Sequence, residues 1–80
     1  MLKVTQAQAT RVLALTGNPA ITLNMTWDWS GRPTPTLLTE GVCDAVALAY
    51  WLQPKIDAAG IPVWVEPYSG YALSLYRRNS

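Results

Sequence analysis

Between Ile21 and Trp29, apolar and polar residues alternate without a break. Ile21, Leu23, Met25, Trp27 and Trp29 fall on one side, and Thr22, Asn24, Thr26 and Asp28 on the other. Successive side chains of a strand point to opposite faces, so this pattern describes a strand with one face on a core and one in solvent. The strand is expected over residues 20–29. A strand of this kind is not stable alone and needs partner strands and a covering layer.

Helical signals on either side of it supply the cover. Thr5 and Gln8 have capping-box spacing, Gly17 stands where a C-terminal cap belongs, and Pro19 follows. They predict a short helix over residues 6–16. A strand over residues 11–16, turning at Gly17-Asn18, is the rival reading, and the chemistry at both ends favours the helix. Ser30-Gly31-Arg32-Pro33-Thr34-Pro35 reads as a loop, because two prolines remove backbone donors. Leu38, Val42, Ala45, Ala49, Leu52, Ile56 and Ala59 then recur at spacings of three and four, predicting a long helix over residues 36–59 that is kinked at Pro54 and capped by Gly60. Two alternating runs close the chain, over residues 61–67 and 71–77, as a hairpin with a Tyr68-Ser69-Gly70 loop and Gly70 left-handed. That register places Val65 opposite Leu73 and Trp64 opposite Ser74. Residues 77–80 read as a frayed end.

The expected architecture is therefore one α+β domain spanning residues 1–80, in the order α-β-α-β-β. It has two layers: a three-stranded sheet with both helices on one face, and the long helix as the crossover between the first two strands.

Such a domain has little to lean on besides apolar packing. Cys43 is the only cysteine and there is no histidine among 80 residues, which excludes an intrachain disulfide and a zinc site of ordinary ligands. Half the residues are hydrophobic, enough for a small core. The same scarcity argues against catalysis. Acid–base work at neutral pH most often uses histidine. Cys43 lacks an activating imidazole and is read as a packing residue within the long helix. Glu40 and Asp44, four apart near the start of that helix, suit its dipole better than a metal. The chain is expected to be non-enzymatic, with no cofactor and no metal.

Six basic and five acidic residues leave a net charge of +1. Without a basic excess, nucleic acid is a weak candidate partner, and no stretch is apolar and long enough to span a membrane. The start of the chain does not resemble a secretory signal, so a cytoplasmic protein is expected.

Two apolar surfaces remain once the core is assigned. One is the back of the long helix, with Cys43, Ala47, Tyr50 and Trp51. The short helix is too small to cover both of its flanks. Leu37, Leu48 and Trp51 mark one flank; Cys43, Val46 and Tyr50 mark the other, and one of them is expected to stay exposed. The second surface is the outer sheet face, where Trp64 and Tyr76 lie near Glu66 and Arg78. Trp, Tyr and Arg dominate protein interfaces, so Trp51, Tyr50, Trp64 and Tyr76 are the candidate anchors, with Glu66, Arg32 and Arg77 as a rim.

The function expected is a small protein-binding module. Abundant alanine, and arginine outnumbering lysine, suit a GC-rich phage or mobile element. An inhibitor of a host machine, such as an anti-CRISPR or other counter-defence protein, is the type of protein that size and composition suggest by analogy. The alternatives are a domain that stacks single-stranded nucleic acid on Trp64 and Tyr76, and a homodimeric or virion component.

Overall fold

The computed structural model describes residues 4–27, 31 and 33–78. Asp28, Trp29, Ser30, Arg32 and the last two residues, Asn79 and Ser80, lie outside the described residues, so the expectations for them are not addressed. The fold is α+β, with six elements among the described residues: α1 (Gln6–Thr16), β1 (Thr22–Trp27), β2 (Pro33–Leu38), α2 (Ala45–Ala58), β3 (Val63–Ser69) and β4 (Ala72–Arg77). The four strands form one antiparallel sheet in the order β1-β2-β4-β3.

The first helix forms where its caps predict. Thr5 Oγ1 accepts from Gln8 N at 3.1 Å, Gln8 Oε1 accepts from Thr5 N at 3.0 Å, and Gly17 ends the helix with φ +62°. Val12 and Ala9 face the core.

The sheet has four strands where three were expected, and the added one is the proline segment. Thr39 N–H donates to Tyr71 O at 2.7 Å, so Thr39 points toward β4. Strand residues alternate in direction, so Leu37 and Pro35 also face β4, while Thr34, Thr36 and Leu38 face β1. The donor that Pro35 lacks is thus one β1 never needs. It is needed on the other side, and there the β2–β4 ladder stops at Thr36↔Ser74, one residue short of Pro35. Proline in an inner strand is tolerated here because the strand is paired on one side only along its first half.

Because Pro33–Leu38 is strand, the second helix is shorter than the 36–59 expected. It begins at Ala45, with Asp44 as its N-cap: Asp44 Oδ1 accepts from Val46 N at 2.8 Å and Ala47 N at 3.3 Å. The apparent stripe through Leu38 and Val42 was a coincidence of spacing. Leu37, assigned to a helix flank, is instead fully buried in β2. Cys43 precedes the cap rather than sitting mid-helix, and packs half-buried against the core. Pro54 lies inside α2, which continues to Ala58. The helix ends in a Schellman motif: Ile61 N donates to Ile56 O at 3.2 Å, Gly60 N to Asp57 O at 3.1 Å, and Gly60 has φ +72°.

Glu40 is not helical either. It occupies a tight turn closed by Val42 N donating to Thr39 O at 2.8 Å, with φ +42° at Glu40 and +84° at Gly41. Positive φ is unfavourable for glutamate, whereas asparagine tolerates it. Glu40 is exposed, so Glu40→Asn should raise stability by about 0.5 kcal/mol, or roughly 2–4 °C in Tm. Thermal denaturation checks this, and an unchanged or lower Tm would show that the turn carries no strain at that residue.

The final hairpin forms with its register moved by two. Val65 pairs with Leu75 and Trp64 with Tyr76, not with Leu73 and Ser74. The turn is Gly70-Tyr71, and Tyr68 is the extra residue of a bulge between the pairs Pro67↔Leu73 and Ser69↔Ala72. Gly70 does not have positive φ. A shift of two preserves faces, so the inward residues Val63, Val65, Leu73 and Leu75 are those expected. Arg77 belongs to β4 and Arg78 is held by an ion pair, so this end is not frayed as far as Arg78.

Both helices lie on one sheet face, α1 over β1 and β2 and α2 mainly over β3, and they touch each other. α2 crosses over from β2 to β3, which run parallel with β4 between them, rather than joining neighbouring strands. The core is Leu37, Leu73, Leu75, Val63 and Val65 from the sheet against Leu48, Leu52, Ile56 and Val12 from the helices.

Candidate protein interface

One flank of the helix surface inferred from sequence meets the Trp64 side of the sheet in one place. α2 lies along β3, the outer strand of the sheet, and a groove of about 490 Å³ runs between them. The helix supplies Val46, Ala49, Tyr50, Gln53, Pro54 and Asp57, which recur at helical spacing on one flank. The strand supplies Trp64, Val65, Glu66 and Pro67. Core packing by α2 uses Ala45, Leu48, Leu52 and Ile56, so this flank is left over. Tyr50 is 81% exposed and Val46 48%.

The floor of the groove is held by Gln53. Val63 and Val65 direct their backbone groups away from β4, toward the sheet edge. Gln53 Nε2 donates to Val63 O at 3.1 Å, and Gln53 Oε1 accepts from Val65 N at 3.0 Å. One side-chain amide thereby stands in for a neighbouring strand. The next outward position is Pro67, which has no N–H to offer. Edge strands invite pairing with other chains, and at β3 the amide and the proline both work against it.

Polar contacts fix one side of the groove. Trp64 Nε1–H donates to Glu66 Oε1 at 3.0 Å. The Arg78 guanidinium lies 5.7 Å from the centre of the Trp64 ring and donates to Asp57 Oδ1 at 2.8 Å. Gln53 Nε2 also donates to Asp57 Oδ1, at 3.0 Å. The strand, the end of β4 and the helix are tied together by this chain of contacts, which fixes the direction of the Trp64 indole. The ion pair is about half exposed on both sides and adds little to stability by itself.

Of the residues chosen from sequence, Tyr50, Trp64 and Glu66 line the groove. Tyr76 stands directly across from Trp64 on the outer sheet face, 44% exposed. Trp51 is on the other flank of α2, with Lys55 Nζ 4.5 Å from its ring centre, and does not join them. Arg77 pairs with Val63 and therefore lies on the helix-facing side of the sheet, away from Trp64, Glu66 and Tyr76. Arg32 is outside the described residues. Gln53, Pro54, Asp57 and Pro67 went unrecognised. Only the spacing of Tyr50, Gln53 and Asp57 on one helix flank could have pointed to them; nothing local says that this flank meets β3.

Among the described residues no cluster of three or more cysteine, aspartate or glutamate side chains comes together, and no helix is long and apolar enough to cross a membrane. Fold and groove together define a small two-layer α+β domain with an apolar cleft along a protected sheet edge. Comparison with known protein families, with curated proteins and with solved structures finds no match to this chain.

Proposed function

We propose that the chain is a non-enzymatic protein-binding module whose contact surface is the α2–β3 groove, continued over the sheet edge onto Trp64 and Tyr76. The observation that carries this reading is the exposed apolar flank of α2, Val46 and Tyr50, standing beside an indole held by Glu66 and Arg78. Rigid aromatic groups beside a concave apolar floor are what interface anchors require. A module of this size acts by occupying a surface of a larger partner, as an inhibitor of a host machine encoded by a phage or mobile element would.

The contacts of Arg78 weigh against the nucleic-acid reading. Its guanidinium is engaged by Asp57 and lies close to the Trp64 ring, so the main cation of the patch and an approach to its best stacking surface are both partly taken.

The test is retention of a partner at stoichiometric yield from the cells in which the chain acts. Tyr50→Ala should abolish retention with Tm unchanged, because Tyr50 is 81% exposed. Trp51→Ala, on the opposite flank, should retain the partner. Recovery of no protein by the native chain, or equal retention by Tyr50→Ala, would overturn the proposal. Salt-sensitive retention of single-stranded oligonucleotides would replace it with the alternative.

A further inference from the structure

The two edges of the sheet are treated differently. At β3, Gln53 occupies the outward Val63 O and Val65 N, Ile61 O takes Val63 N at 2.8 Å, and Pro67 removes the next donor. At β1 the described residues show no such device. Thr22 and Asn24 point their backbone groups to β2, so Ile21, Leu23 and Met25 point theirs outward. Ile21 N donates into the preceding turn, to Asn18 O at 3.1 Å. Among the described residues Met25 N donates only to the side chain of its neighbour, Asn24 Oδ1, at 2.9 Å, a bond easily exchanged. The outward N–H and C=O of Leu23 have no partner among the described residues. Thr22–Trp27 contains no charge, no proline and no glycine, and Met25 is 53% exposed on the helix-facing side. These are the groups that a further strand would satisfy.

We propose that β1 pairs antiparallel with β1 of a second copy, joining two four-stranded sheets into one of eight. The strand is its own complement. In any register that sets Leu23 against Leu23 or Met25 of the other copy, outward groups meet outward groups, apolar side chains continue the helix-covered face, and Thr22 and Asn24 continue the open face. The absence of charge leaves no repulsion across the two-fold axis. The pairing is isologous, and the closed β3 edges stop growth at two chains. It uses the edge opposite to the α2–β3 groove and does not rest on the function proposed there.

Sedimentation equilibrium on the full chain tests this. A dimer is expected, in reversible equilibrium with monomer. Met25→Pro should be monomeric with unchanged circular dichroism, because Met25 N–H contributes nothing to the β1–β2 ladder and proline there copies Pro67. If that variant fails to fold, Met25→Lys, at an exposed position beside the axis, should also be monomeric. A native chain that is monomeric throughout, growth into trimers or filaments, or a dimer that persists in either folded variant would overturn the proposal. A monomer that instead takes up an unrelated extended peptide along β1 would overturn it too.

Discussion

Replacing Gln53 with alanine is expected to lower stability by about 2 kcal/mol, far more than its position on a helix flank suggests. The side chain makes three hydrogen bonds, two of them to backbone groups of β3 that have no other strand beside them among the described residues. Both are partly buried, so water restores only part of what is lost. Urea denaturation measures the change, and amide exchange locates it: the Val65 N–H should lose protection while amides facing β4 keep theirs. The edge should also become more open to pairing with other chains, since only Pro67 then still guards it. Unchanged stability with a protected Val65 amide would show that the edge is held by something else.

A larger loss is expected at the centre of the sheet. Leu73 is completely buried, opposite Leu37 on one side and Pro67 on the other. Leu73→Ala should cost about 3 kcal/mol from lost transfer energy and an unfilled cavity. A chain of this length has a total stability of roughly 4–12 kcal/mol, so the variant should melt roughly 12–24 °C lower or not fold at 37 °C. Leu73→Met conserves volume and should lose less than about 1.5 kcal/mol. A Leu73→Ala variant as stable as the native protein would mean that the helices do not pack on β4 as observed.

The helix α1 was legible because its information is local. Thr5, Gln8 and Gly17 lie within one or two turns of the helix ends they cap, and each satisfies backbone groups without help from the rest of the chain. The alternation of β1 was legible for a similar reason, although its core face fades at Met25, where α1 no longer covers it. The hairpin faces were readable and its pairs were not: an even shift leaves faces intact, and the bulge at Tyr68 that sets the register has no clear sequence signature. The segment from Pro33 to Leu38 was misread because two prolines argue against a strand unless the strand lacks a neighbour on the side where the donors are missing.

The candidate site divides along the same line. Tyr50, Trp64 and Glu66 could be chosen by residue type and by exposure on a helix or strand. Their assembly into one groove could not, because it depends on β3 lying at the sheet edge beneath α2. Had β3 and β4 exchanged places, Gln53 would face no open strand and Trp64 would sit in the middle of the sheet. The sequence by itself determined the caps, the alternating faces, the apolar supply of the core and the scarcity of groups for acid–base chemistry. The tertiary structure alone decided the strand order, and with it which backbone groups are left unpaired, which edge is closed by Gln53 and Pro67, and which is open at Leu23. The physical reason is range: caps and face alternation are settled between neighbours in the chain, whereas an edge exists only once every other strand has been placed.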